Sequence, residues 1–312
     1  MAKLVRRAVV LLLIAGGLVF ILPAEKAPPA GAWLTKAGLD SRTIRVSRGP
    51  AAGFLDIRYV RKGQGPAVVL IHGLASSIYS WAEVIGPLSQ SFDVIALDLP
   101  GFGGSSQPGD LSFDDLPRAV LGLMDSLEVK RAHFVGNSMG GAVSLLMAAR
   151  QAERVDHVVV LDSAGFRMRI EERPFMIRVL GSETAGFLSD RLPIRRALTS
   201  VTLRRLMKDD SRVTEERIDE YLAPILRPGA LASARALLRS PLDETFVSGL
   251  GLITAKTLVV WGRFDPWLPE ADADRFTAAI KGARKVVLET GHMPQEEKPA
   301  EVARLIGDFL IS

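Results

Sequence analysis

The sequence predicts an α/β fold: a doubly wound, mostly parallel sheet with a helical cap inserted between two of its strands. Three observations carry that prediction. Continuous β-branched apolar runs recur along the chain, helical segments such as Met139 to Arg150 separate several of them, and the strand signal lapses between Asp162 and Leu258. Strands covered by helices on both faces read as unbroken apolar runs, and so long a lapse is not a bare loop in a compact domain.

The elements follow in order. Arg42 to Ser47 and Leu55 to Arg61 alternate apolar and polar residues, as strands do at an open sheet edge. The buried runs are Ala67 to Ile71, Val94 to Leu97, Ala132 to Val135, His157 to Leu161 and Thr257 to Trp261, with Lys285 to Glu289 strand-like near the end. Within the lapse, Glu171 to Leu180, Thr214 to Ile225 and Pro228 to Arg239 carry helical patterning. Thr214 precedes two glutamates as an N-cap, and Pro228 is placed for a first helical turn. The expected division is residues 1–32 as a targeting segment plus linker, 33–163 and 254–312 as the core, and 164–253 as the cap.

With 312 residues, 48% of them hydrophobic, the chain can bury a sizeable core, which excludes a disordered or fibrous protein. It contains no cysteine, so disulfides, thiolate zinc sites and cysteine nucleophiles are excluded. The formal net charge is +4, but Lys3, Arg6 and Arg7 at the extreme N-terminus account for three of those four charges. No nucleic-acid module accompanies the remainder, so no nucleic-acid partner is expected. The arginines of the cap are mixed with acids and read as a solvated helical surface.

That N-terminal cluster precedes an uncharged apolar run from Ala8 to Leu22, the n-region and h-region of an export signal. As a helix the run spans about 22 Å, short of the roughly 30 Å hydrocarbon core, which favours a signal over a full span. Cleavage could fall near Ala30-Gly31-Ala32 or Pro23-Ala24-Glu25; uncleaved, residues 8–22 would give membrane association. In either case the basic flank places everything after it outside the cytoplasm.

Gly136-Asn137-Ser138-Met139-Gly140 follows one strand run and opens a helix, the context that a nucleophile elbow requires. A serine there is presented at the carboxyl end of a strand, above a helix N-terminus that favours developing negative charge. Its hydroxyl needs a base. Of the four histidines, His72 and His133 precede Ser138 and His157 begins a strand at the opposite edge of the sheet. His292, in Glu289-Thr290-Gly291-His292-Met293, follows a strand at its carboxyl end and fits the order serine, acid, histidine. Two strand-end aspartates compete as third member. Asp265 stands past Trp261, far enough out to reach the histidine loop, and is preferred; Asp162 abuts its strand and is better placed to brace the cap hinge. The backbone N–H groups of Leu74, in His72-Gly73-Leu74, and of Met139 are the expected oxyanion donors. His72 and Asp98 read as loop-bracing residues.

His72-Gly73, the stretch from Asp98 to Ser105, the elbow with Gly140-Gly141, Trp261 to Asp265 and Gly291 to Glu297 together resemble α/β-hydrolases over Phe54 to Leu310, least clearly in the cap. Within that superfamily the Gly-Asn-Ser-Met-Gly-Gly elbow and basic-apolar N-terminus look like bacterial lipases and monoacylglycerol-lipase-like esterases. The resemblance implies carboxylic-ester hydrolysis of a small-molecule or lipid ester, a triad of Ser138, Asp265 and His292, oxyanion donors at Leu74 and Met139, and neither metal nor organic cofactor. There is no His-Gly-Gly-Gly run, so bulky tertiary-alcohol esters are less expected. Haloalkane dehalogenases and epoxide hydrolases resemble the chain elsewhere but carry aspartate where Ser138 stands. Carbon–carbon bond hydrolases of aromatic-ring degradation and cofactor-free perhydrolases share the serine triad and stay open as alternatives. A non-catalytic binding protein on the same fold is the alternative from another class.

Overall fold

The computed structural model describes residues 26–49, 53–166, 195–240 and 245–312. The expected Lys3 to Leu22 signal and the expected helix from Glu171 to Leu180 lie outside them. No helix among the described residues is long and apolar enough to cross a membrane.

The strands are β1 (Arg42–Gly49), β2 (Gly53–Lys62), β3 (Ala67–Ile71), β4 (Asp93–Leu97), β5 (Ala132–Asn137), β6 (Val155–Leu161), β7 (Lys256–Gly262) and β8 (Arg284–Leu288). They form one sheet in the order β1-β2-β4-β3-β5-β6-β7-β8. Pairing is antiparallel for β1 with β2 and for β2 with β4, and parallel from β4 across to β8. The helices of the core are α1 (Ala32–Lys36), α2 (Ala82–Leu88), α3 (Asp115–Ser126) and α4 (Met139–Arg150). Between β6 and β7 come α5 (Arg195–Leu206), α6 (Glu215–Ile225), α7 (Ala230–Arg239) and α8 (Thr245–Gly249), and after β7 come α9 (Ala271–Ala279), α10 (Pro294–Glu297) and α11 (Pro299–Leu310).

Successive strand residues point to opposite faces, so an unbroken apolar run must feed two cores. It does. Val69, Ile71, Phe134, Val158, Val160, Val259 and Trp261 pack with residues of α3, α4 and α9 on one face. Their neighbours Val68, Leu70, Val135, Val159, Leu161, Leu258 and Val260 pack with residues of α2 and α11 on the other. The sheet is doubly wound, as the runs predict.

A third apolar cluster belongs to the cap, joining Leu203, Leu206, Ile218 and Tyr221 to Met293 of the core. Thr214 caps α6 as expected, its side chain accepting from the Arg217 N–H at 3.1 Å. Pro228 does not sit in a first helical turn. Gly229 stands at φ 89, outside the right-handed region, and α7 begins only at Ala230. The chain just before β1 also reaches the cap: the Gly31 N–H donates to Glu220 Oε1 at 2.6 Å and Lys36 pairs with Glu216 at 3.0 Å, while buried Trp33 meets the ring of Tyr79, in the core, edge-on.

Candidate active site

Ser138 occupies the turn between β5 and α4 at φ 54 and ψ −117, a region that non-glycine residues rarely adopt. The turn is tight enough to forbid side chains on both flanks. A Cβ on Gly136 would stand 2.2 Å from the Gly140 carbonyl oxygen, and one on Gly140 would stand 2.1 Å from that of Ile71. The strain is held by pairing, because the Ser138 N–H donates to the Leu161 carbonyl at 2.9 Å and its own carbonyl accepts from the Ala164 N–H at 3.0 Å. Ser138 is half-buried and faces a cavity that His292 also lines.

His292 is buried on the loop after β8. Its Nδ1 donates to Asp265 Oδ2 at 2.6 Å, which leaves Nε2 as the acceptor of that tautomer, and His292 lines the cavity. Asp265 Oδ1 accepts from the N–H groups of Trp267 at 2.7 Å and Leu268 at 3.0 Å, so the carboxylate is fixed at both oxygens. Burial alone would raise its pKa. The His292 charge and hydrogen bond, with the two backbone donors, outweigh burial and hold it below the usual carboxylate range. Asp162, the competing aspartate, makes a different bond: its Oδ1 accepts from the Gly262 N–H at 2.8 Å. Asp162, Asp265 and His292 bring three possible metal-ligand atoms within 4.8 Å of one another. The hydrogen bond between Nδ1 and Asp265 gives that cluster the form of an acid and base pair.

Leu74 and Ser138 line the same cavity, and Met139 opens α4, where first-turn N–H groups have no acceptor within the helix. The geometry thus brings together Ser138, Asp265, His292, Leu74 and Met139. His72 and Asp98 brace loops. His72 Nδ1 donates to the Gly73 carbonyl at 2.7 Å while Nε2 accepts from the Leu99 N–H at 2.9 Å. Asp98 accepts from the N–H groups of Ile78 at 2.7 Å and Gly104 at 2.6 Å.

Three ties around the site were not anticipated. Asn137 Nδ2 donates to the carbonyls of Leu161 and His292, both at 3.1 Å, linking the elbow to the histidine loop. Glu297 accepts from Gly291 at 2.6 Å and from Lys208 and Asp209 of the cap at 2.9 and 3.0 Å. Glu296, buried, accepts from Tyr221 and from Ser80 and lies 3.3 Å from Arg217 Nε. The sequence signal for the last two was a pair of acids next to the histidine; apart from Gly291, their partners lie far away along the chain.

The cavity measures about 150 Å³ and lies under α5, α6 and α7. Its wall includes Leu198, Leu203, Ile225, Leu231 and Met293, with Arg195 at one part of the lining.

A family model described as the alpha/beta hydrolase fold matches residues 66–299. The chain belongs to the α/β-hydrolase family. This hydrolase is 31% identical over 250 residues to an uncharacterized hydrolase, YugF, of Bacillus subtilis (strain 168), a match covering 78% of this chain and 89% of that protein. It is 32% identical over 296 residues to the 2-hydroxy-6-oxo-6-phenylhexa-2,4-dienoate hydrolase of Comamonas testosteroni, covering 88% and 97%. Among solved structures, a bacterial membrane phospholipase A matches the hydrolase with a TM-score of 0.73 at 26% identity, covering 99% of this chain and 98% of the other.

Proposed function

We propose that the protein is a serine carboxylic-ester hydrolase of the esterase or lipase type, working through an acyl-enzyme. The observation that carries this reading is the strained Ser138 facing an apolar cavity shared with the His292–Asp265 pair. In the proposed cycle His292 Nε2 accepts the Ser138 proton as Oγ attacks the ester carbonyl. The oxyanion forms toward the N–H groups of Leu74 and Met139, and His292 returns the proton to the leaving alcohol. Water then repeats the sequence on the acyl group. Asp265 holds the ring tautomer and stabilises the imidazolium.

An apolar wall suits an acyl chain, whose burial contributes about 0.8 kcal/mol per methylene. The membrane phospholipase A among the similar structures is consistent with a lipid ester, as is the Ala8 to Leu22 segment, which on this reading carries the catalytic domain outside the cytoplasm. A second reading is a carbon–carbon bond hydrolase of keto acids. The similarity to the dienoate hydrolase favours it, and Arg195 in the lining supplies a cation for a substrate carboxylate.

The deciding experiment measures kcat/KM for p-nitrophenyl esters of increasing acyl length beside 2-hydroxy-6-oxo-6-phenylhexa-2,4-dienoate. The ester reading expects the esters to be turned over with a length optimum and the dienoate to be far slower. A clear preference for the dienoate would replace it with the second reading.

A further inference from the structure

Asp162 is the last place in the site where a titratable group has no assigned role. It leaves β6 at φ 44, a costly conformation for a non-glycine residue, and it is fully buried. Its backbone N–H reaches the Val260 carbonyl at 3.0 Å and its Oδ1 takes the Gly262 N–H. Oδ2 has no conventional partner, although it is shut away from solvent. A carboxyl oxygen of Asp162 lies within 4.8 Å of both a carboxyl oxygen of Asp265 and a ring nitrogen of His292.

Two buried carboxylates so close together cannot both ionise cheaply. Asp265 has the stronger claim on the negative charge, because His292 and two backbone donors already serve it. Asp162 has only one donor. We propose that Asp162 stands as a neutral carboxylic acid whose Oδ2 proton is donated to Asp265, so that the acid of the site is a carboxyl–carboxylate pair with a single negative charge.

Burial is the largest influence raising the Asp162 pKa, followed by the Asp265 charge and the hydrogen bond between them; Glu297 adds to it and the Gly262 N–H opposes it. The titratable groups facing it are therefore Asp265 beyond β7 and His292 and Glu297 beyond β8. Asp162 acts through Asp265 as a positioning residue. Its proton fixes the orientation of the carboxylate that in turn orients the imidazole. The inference rests on the triad reading given under the proposed function.

The test compares Asp162→Asn and Asp162→Ala with the wild-type chain at neutral pH. Asparagine tolerates the positive φ, can accept from Gly262 and can donate an amide hydrogen to Asp265. It should keep kcat within a few-fold, whereas alanine, which leaves Asp265 without that donor, should lose about 10- to 100-fold in kcat. Each rate is divided by the fraction of Ser138 that a fluorophosphonate labels. If wild-type Ser138 takes no label, the triad reading fails; the present inference is judged on the ratio among variants and on a second readout. That readout is the infrared difference between wild type and Asp162→Asn, where the carbonyl stretch of a protonated carboxylic acid should be present in the wild-type spectrum and missing from that of the variant. Absence of that band, or asparagine as damaging as alanine, overturns the proposal.

Discussion

Nδ1 of His292 lies 2.6 Å from Oδ2 of Asp265 and donates to it, between a residue beyond β8 and one beyond β7. This bond fixes which ring nitrogen faces the cavity. Asp265→Asn would present an amide hydrogen in place of an acceptor and favour the wrong tautomer. The expected loss in kcat is about 10⁴-fold, the size seen for the equivalent change in a serine protease. Purified variant and wild type should be compared on one short-chain ester, with circular dichroism checking the fold. A loss under about tenfold would be too small for the role assigned to this carboxylate.

The cap is fastened to the core by a buried ion pair. Arg217 of α6 and Glu296 of α10 have side chains 7% and 3% exposed, and Glu296 also accepts from Tyr221, which lines the cavity. Deleting one partner strands the other's charge, at a cost of about 3 kcal/mol or more. Arg217→Leu is expected to lower the urea midpoint and to raise KM, since Glu296, the acceptor of Tyr221, loses the cation that holds it. An unchanged midpoint would show that the pair contributes no net stability.

At the amino ends of β5 and β6 the rings of His133 and His157 lie 5.0 Å apart, centroid to centroid. Burial, then His157 and more weakly Arg131, push His133 down to about 4 against the opposing pull of Asp156. Its folded pKa is thus below its unfolded one, and the unfolded chain binds more protons at intermediate pH. Stability is complete above the unfolded value of about 6.5 and declines as pH falls from there toward 4. The urea midpoint of wild type should drop between neutral pH and about pH 5. In His133→Gln that drop should be smaller. An equal drop in both would assign the acid sensitivity to other groups.

Much of this was legible in the chain. The runs of β3 to β7 announced themselves because both faces of each strand are apolar, and Ser138 and His292 were marked by their local settings at strand ends. Asp265 over Asp162 was a choice of reach; in the structure Asp265 bonds His292 Nδ1, whereas Asp162 takes the Gly262 N–H. What stayed hidden depends on contacts distant in sequence. Asn137 carries no role in the elbow pattern, yet it ties together β6 and the histidine loop. The Glu296 partners come from residue 80 on one side and residues 217 and 221 on the other. Pro228 misplaced the start of α7 because a proline suits a first turn in general, whereas the left-handed Gly229 sets the boundary here.

The N-terminal segment makes a prediction about place. Fractionation of cells producing a tagged full-length chain should find the catalytic domain in the membrane or exported fraction, with external protease able to reach it. Recovery of the intact chain in the cytosolic fraction would contradict export.

The central claim is that Ser138 carries the acyl group. It is tested most directly by stopping turnover of a p-nitrophenyl ester during its burst and mapping the modified peptide by mass spectrometry. The account predicts one acyl adduct, on the peptide containing Ser138, which is missing from Ser138→Ala together with all but a few per cent of the turnover. An adduct on another residue, or a Ser138→Ala protein that still turns over the ester at a substantial fraction of the wild-type rate, would contradict it.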